Sequence, residues 1–226
     1  MKTPNKIWLI VAVIVLLLGG VYIGYLKFGA TRIPNRETLA GKADLLPFYD
    51  KAIEYEQKIK ENPSEIVNYT EVGSDWKLIG DSTHDSVWLK LSLSTYQRGI
   101  EKTNNKNSLL IENAGQVAES IGDYALAETY YTQAIDLSPG DVSYYLARIS
   151  LLKNKLHVSQ EEILRAYDEG MQRVTGGADL VSSRAQYLKS VQRYDDARAD
   201  FELLLKNKII TQEQFDEETI NFPAAK

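Results

Sequence analysis

The apolar positions between Leu110 and Leu137 fall into two stripes separated by Gly122. Within each stripe they recur at steps of three or four, which predicts two amphipathic helices rather than strands. Gly122 suits the turn between the helices, and Pro139 stands just past the end of the second. Two such helices joined by a short turn predict an antiparallel hairpin. The stripes are Leu110, Ile111, Ala114, Val117, Ala118 and Ile121, and then Tyr124, Ala127, Tyr130, Tyr131, Ala134 and Leu137.

Comparable pairs of stripes recur along the chain at intervals of roughly 34 residues. Downstream, Tyr194 and Ala197 keep the spacing of Tyr124 and Ala127. The pair in between has a turn near His157 that is about two residues longer than this period allows. Repetition of one supersecondary unit predicts a stack of hairpins. The predicted pairs span about 73–106, 108–141, 142–177 and 178–211.

Capping signals and flanking helices extend this pattern into one all-α domain over 45–226. Ser159-Gln-Glu-Glu162 and Thr211-Gln-Glu-Gln214 both read as capping boxes that begin helices. An amphipathic stretch over 43–61 predicts a helix ahead of the pairs. The stretch from Thr211 to about Ile220 predicts a short polar helix after them. Terminal helices with a polar face close the ends of a repeat stack.

The hairpin at 108–141 resembles a tetratricopeptide repeat. It has a small residue in mid-helix, a Gly-Asp-Tyr turn, alanine and aromatic positions in the second helix, and a final proline. The other pairs repeat parts of this pattern, and a generic helical bundle is the alternative interpretation. The matching residues are Trp76, Gly80, Gly115, Gly122, Tyr124, Ala127, Tyr131, Ala134, Pro139, Ala185, Tyr194, Ala197 and Phe201.

The resemblance implies an α-solenoid of antiparallel helix pairs. In this family the first helices line an inner face that holds a peptide or a partner helix. Some members of this family bind a C-terminal carboxylate with a clamp of lysine and asparagine side chains on their first helices. Asp81 stands where such a clamp would place asparagine, and its charge would repel a carboxylate. An ordinary solvated surface is the alternative for each candidate. The predicted lining residues are Lys77, Asn113, Gln116, Lys153, Asn154, Gln186 and Lys189.

The N-terminal part has a different pattern, with no charge from Ile7 to Leu26. A helix over this stretch would span roughly 30 Å, the thickness of a bilayer core. The sequence therefore predicts a basic tail at 1–6, a transmembrane helix at 7–28 and a linker at 29–44. A cleaved signal peptide is the alternative, but no small-x-small site follows the apolar run.

The predicted anchor makes the chain an integral, single-pass protein, which we place in the bacterial cytoplasmic membrane. A short basic tail favours an extracytoplasmic repeat domain, although the basic residues on the two sides of the anchor nearly balance. Gly20 and Gly24 have the small-xxx-small spacing of helix contacts, which would allow a homodimer through the transmembrane helix.

Charge and residue content exclude several classes of function. Residues 1–36 hold five of the 26 basic side chains and no acid, so the rest carries 21 basic against 31 acidic side chains. Such a surface repels phosphate backbones, and nucleic acid is not an expected partner. There is no cysteine. His84 and His157 have no partner at metal-ligand spacing, and no nucleophile or phosphate-binding motif occurs, so we expect no metal, no cofactor and no catalytic residue.

These observations favour a membrane-anchored adaptor or scaffold that binds peptides or partner proteins in a groove. The alternative is a structural subunit of a fixed membrane-associated complex for secretion, pilus or envelope assembly. An enzyme with an unrecognised site is the third possibility, against which the scarcity of histidine and cysteine argues.

Overall fold

The computed structural model describes residues 32–223. These residues form ten α-helices and no β-strand, which confirms the all-α class for this part of the chain. A π-helical turn, Leu152–Leu156, follows α6, and two 3₁₀ turns, Arg36–Leu39 and Ala43–Leu45, precede α1. The helices are α1 (Leu46–Glu61), α2 (Ile66–Thr83), α3 (Ser86–Lys102), α4 (Ser108–Ile121), α5 (Tyr124–Leu137), α6 (Val142–Leu151), α7 (Gln160–Arg173), α8 (Ala178–Ser190), α9 (Tyr194–Lys206) and α10 (Gln212–Thr219).

The chain divides into two compact units between Gly99 and Ile100. The first contains α1, α2 and most of α3, and the second contains α4 to α10. The sequence pattern alone had suggested one continuous domain over 45–226.

The first unit is built around three aromatic rings. Trp76 of α2 and Trp88 of α3 stack with their ring centroids 5.4 Å apart, and both are buried. Tyr49 of α1 lies edge-on to both indoles. Large aromatic side chains contribute much of the apolar area that stabilises a small core. This cluster therefore joins all three helices of the unit.

The chain before α1 packs against this unit from Pro34 onward. Leu39 and Leu45 are buried, and the Tyr49 hydroxyl donates to the Pro34 carbonyl at 2.9 Å. Arg36 forms a two-point ion pair with Asp50 of α1. In the described residues the segment predicted as a linker at 29–44 is thus a packed strap. Leu39 belongs to no helical period, so the sequence pattern gave no sign of this packing.

The α4–α5 hairpin shows how local sequence signals build the second unit. The side chains of Asn107 and Asp123 cap α4 and α5 by accepting hydrogen bonds from the backbone amides of Leu110 and Leu126. Gly122 has φ +88°, a left-handed conformation that glycine adopts without steric cost. Ala127, Tyr131 and Ala134 turn their side chains into the core, as their spacing predicts.

The two longer connections of this unit are also specified locally. The π-helical turn after α6 ends at His157, which has φ +49°, and it takes up the extra residues of this repeat. Ser159 and Thr211 then form the predicted capping boxes with Glu162 and Gln214. Each box satisfies amide donors that the first helical turn leaves unpaired.

One prediction about the fold is corrected. In residues 32–223 no helix is both long and apolar enough to cross a bilayer. The longest, α2, has 18 residues but carries charged side chains, among them Asp75 and Asp81, and packs within its unit. The predicted transmembrane helix at 7–28, with its Gly20–Gly24 contact, lies outside the described residues. The fold class with a transmembrane helix, and with it the single-pass location in the bacterial cytoplasmic membrane, is therefore wrong on this finding.

Candidate peptide-binding face

Helix α4 presents one polar face opposite its buried stripe. Gln116 is exposed, Asn113 is half-buried, and Leu109 of the same face leaves 52% of its surface exposed. These positions are separated by three or four residues and so lie along one side of the helix. Asn113 makes no side-chain hydrogen bond within the described residues. An apolar side chain beside amides that can bond to a backbone is suited to binding a peptide.

Glu112 lies on the same helix, one turn from Leu109, but it is buried. Burial raises the pKa of the Glu112 carboxyl group, and the charge of Asp141 acts in the same direction. The Gln116 amide donates to Glu112 and opposes this shift. Desolvation dominates, because a carboxylate loses more hydration than one amide restores. The face therefore contains a carboxyl group that is costly to ionise.

The end of α6 supplies the next candidates, Lys153 and Asn154. Both lie in the π-helical turn and are exposed. Asn154 donates to the Ser150 hydroxyl at 3.1 Å, whereas Lys153 makes no ion pair or hydrogen bond in the described part of the chain. Ser108 of α4 accepts a hydrogen bond from Tyr144 of α6 at 3.2 Å, which ties the two first helices together.

Gln186 and Lys189 of α8 are already engaged within the chain. The Gln186 amide donates to Glu218 Oε1 at 2.9 Å, and Lys189 Nζ lies 2.8 Å from Glu218 Oε2. Glu218 belongs to α10, the terminal helix. In this structure these two candidates therefore bind the protein's own C-terminal segment.

Lys77 belongs to the first unit, on α2. Its ammonium forms an ion pair with Asp81 at 2.6 Å, one helical turn away. The acidic residue that disfavours a carboxylate clamp thus also occupies the lysine. The candidates therefore differ: Lys77, Gln186 and Lys189 have intramolecular charged partners, and Asn113 and Lys153 have none among the residues described.

Two arginines at equivalent positions join consecutive hairpins. Arg148 and Arg184 are each the seventh residue of their helices, α6 and α8. Arg148 pairs with Glu128 of α5 and Glu169 of α7. Arg184 pairs likewise with Asp168 of α7 and Asp200 of α9. Each guanidinium therefore links two second helices, the one in its own pair and the one in the preceding pair. The periodicity of apolar residues does not reveal this role.

The clefts in residues 32–223 include the following two. One, of about 340 Å³, lies in the second unit above Arg148 and is lined by Glu128, Leu152, Val158, Glu162, Arg165, Ala166 and Glu169. The other, of about 480 Å³, lies in the first unit between the strap and the start of α3. Neither is lined by any of the predicted face residues. In residues 32–223 no group of three or more histidine, aspartate or glutamate side chains is placed to hold a metal ion.

The close contact between α4 and α5 identifies the repeat. A β-carbon added at Gly115 would lie 2.8 Å from the Tyr131 ring, so the mid-helix glycine lets the two helices approach. The family model described as the tetratricopeptide repeat matches residues 110–141, which include this contact.

This part of the chain is a tetratricopeptide repeat.

The solved structures include a similar fold, and the curated proteins compared include no match. The crystal structure of MamA superposes with a TM-score of 0.55 at 14% sequence identity. The similarity covers 78% of this chain and 96% of that one. At this identity the likeness shows a common fold.

The first unit also makes a glycine–aromatic contact, but at a different place from Gly80. Gly73 of α2 lies against Tyr96 of α3, where an added β-carbon would be 2.5 Å from the ring. Gly80 lies nearer the connecting turn and meets Leu89. The two glycines are two turns apart, so both fit a small-residue pattern. The Tyr145 hydroxyl donates to the Pro139 carbonyl at 3.0 Å, and the Tyr69 hydroxyl donates to the Pro63 carbonyl at the same distance. In both units this bond joins the first helix of a pair to the proline six residues before the tyrosine.

The other signature residues pack as hairpin contacts. Ala185, Ala197 and Phe201 form the core between α8 and α9, and Tyr194 at the start of α9 is half-buried. Sequence reasoning missed Leu109 on the candidate face. The available signal was an apolar residue that lies outside the buried stripe of its helix.

Proposed function

We propose that this protein is an adaptor that binds a peptide or a partner helix along α4 and the end of α6. The repeat family supports a protein-binding scaffold rather than an enzyme. The observation that carries the proposal is the contrast between polar groups on the first helices. The side chains of Asn113 and Lys153 have no hydrogen-bond or ion-pair partner in the described chain, whereas the other two lysine candidates form ion pairs with carboxylates.

The chemistry of this face indicates what it would hold. Asn113 can donate and accept hydrogen bonds with an extended or helical backbone, and Leu109 offers apolar contact beside it. Lys153 adds one positive charge at the end of α6. A segment with an apolar side chain followed by an acidic one complements these three groups.

Charge reversal on the full-length chain tests the proposal. Lys153→Glu combined with Asn113→Ala should abolish capture of specific partners from a lysate of the source organism. Lys206→Glu is a matched control, because Lys206 is exposed on the second helix of its pair and makes the same charge change. Equal loss with both variants, or no loss with the first, would remove the support for this face.

The alternative, a subunit of a fixed complex, gives a different result in the same experiment. A partner that co-purifies at constant stoichiometry through successive washes belongs to such a complex. An adaptor releases its partner on dilution, because transient interfaces are small and exchange at moderate affinity.

A further inference from the structure

The last hairpin, α8–α9, is covered by the segment 211–223. Phe215 and Phe222 of this segment pack against the core formed by Leu188, Phe201 and their neighbours. The Phe222 ring lies 5.0 Å from the Tyr194 ring, measured between centroids. The segment therefore places two phenylalanines on one apolar surface.

Polar contacts surround this apolar surface. Glu218 accepts hydrogen bonds from Gln186 and Lys189, and Lys189 lowers the pKa of the Glu218 carboxyl group. Lys189 also donates to the Glu218 carbonyl at 2.9 Å. Lys189 and Arg198 both lie over the Phe222 ring, 5.8 and 5.4 Å from its centroid. The surface thus recognises an acidic side chain and an aromatic ring in a fixed order.

The segment itself is a weak structural element. Helix α10 has eight residues, and most of its surface is exposed. A helix this short is not stable alone in water, because nucleation costs more than its few hydrogen bonds return. Its helical form therefore depends on docking. A competing segment that offers the same three contacts and forms a more stable helix would replace it.

We propose that the α8–α9 surface is a docking site for an acidic partner segment, a short helix and the residues after it, with two aromatic residues spaced as Phe215 and Phe222 are around Glu218. Segment 211–223 occupies this site until the partner displaces it. The proposal extends the proposed adaptor function to a second surface and assumes that function. It gives Gln186 and Lys189 the role of binding the partner's carboxylate.

The experiment uses the full chain and a labelled synthetic peptide with the sequence of residues 210–223. Phe222→Ala weakens the internal contact, so the peptide should bind this variant about tenfold more tightly than the unaltered chain, since self-occupancy reduces apparent affinity. Glu218→Ala should act in the same direction. It alters a side chain that is about one-third exposed, so it also serves if Phe222→Ala fails to fold.

Charge reversal supplies the specificity control. Lys189→Glu added to Phe222→Ala should abolish binding of the peptide, and a peptide with lysine in place of Glu218 should restore it. Equal, weak binding to the unaltered chain and to both folded variants would overturn the proposal. Concentration-dependent dimers that exchange this segment would also overturn it, because the occupant would then be a second copy.

This test is independent of the proposed adaptor face. Lys153→Glu should leave peptide binding to the Phe222→Ala variant unchanged. If the Lys153 experiment fails while the peptide still binds, only the face on α4 and α6 is refuted.

Discussion

Gly115 of α4 lies directly under the Tyr131 ring of α5, so close that a β-carbon at position 115 would come within 2.8 Å of Cε1. A glycine in mid-helix costs about 1 kcal/mol relative to alanine, so the close approach outweighs a preference for alanine. The same relationship between Gly73 and Tyr96 indicates that this contact sets the distance between helices in both units.

Gly115→Ala should therefore destabilise the protein by roughly 2 kcal/mol, despite its better helix propensity, because the buried Tyr131 must shift. Urea denaturation followed by circular dichroism would measure the change. Gly140→Ala is the control, since nothing lies within 4 Å of a β-carbon there and φ is not positive. We expect it to change the free energy of unfolding by less than about 0.5 kcal/mol. An unchanged midpoint for Gly115→Ala would show that the tyrosine moves without cost.

Arg184→Met should destabilise the second unit by roughly 3 kcal/mol, because it leaves the carboxylate of Asp200 buried without its cation. Asp200 is only 4% exposed, and Arg184 Nε and Nη2 both donate to it. Chemical denaturation of the natural chain and of Arg184→Met would measure the difference in their free energy of unfolding. Adding Asp200→Asn to the variant should recover part of the loss.

The control for that pair is Arg193→Met, which removes an exposed ion pair with Asp196. Exposed pairs contribute little, so its effect should stay below about 1 kcal/mol. Equal losses from the two substitutions would contradict the role given to burial.

Glu112→Gln should stabilise the protein at neutral pH by roughly 1 kcal/mol, because it removes a buried charge and keeps an acceptor for Gln116. Burial raises the pKa of Glu112, so the folded chain binds this proton more tightly than the unfolded chain does. The stability of the natural chain therefore falls as pH rises from the ordinary glutamate pKa, about 4.3, through the raised one. The stabilisation by Glu112→Gln should therefore grow as pH rises through this range, and it should vanish below the ordinary glutamate pKa.

Thermal unfolding of both chains between pH 4 and pH 8 would show this dependence. Glu202→Gln is the matched control, because Glu202 is exposed on α9. A gain for Glu112→Gln that is equal at all pH values would exclude the titration as its cause.

Ser159→Ala should destabilise α7 by about 1 kcal/mol, since the serine hydroxyl accepts the Glu162 amide and no neighbour replaces it. Urea denaturation monitored by circular dichroism provides the measurement. Ser120→Ala, at an exposed position within α4, is a suitable comparison and should be neutral or slightly stabilising. A neutral result for Ser159→Ala would mean that water caps the helix equally well.

The hairpins of the second unit could be predicted because their signals are local. Gly122 and the two capping boxes act within a few residues of their own positions. In the first unit, α2 and α3 are each three or four residues longer than α4 and α5, and the sequence pattern selected Gly80, whereas Gly73 makes the contact with the tyrosine ring. Apolar spacing alone does not show which glycine of a long helix faces the ring.

Contacts between distant parts of the chain were the part that could not be predicted. Glu218 meets Lys189 only because α10 folds back on α8, and Leu39 is buried only because the strap packs on the first unit. The membrane assignment failed for another reason. It depended on length and apolarity at residues 7–28, and within the described residues no helix combines the two.

The stacked indoles of Trp76 and Trp88 give the first unit an optical signature of its own. At 5.4 Å their electronic transitions couple and add a circular dichroism contribution that overlaps the bands of the helices. Helix content read from such a spectrum would be in error, and unfolding of the first unit would change the signal beyond its share of helix. Trp8, outside the described residues, is the remaining tryptophan, and α4 to α10 contain none. Within the described residues tryptophan fluorescence would thus report on the aromatic cluster, whereas the loss of helicity would report on both units.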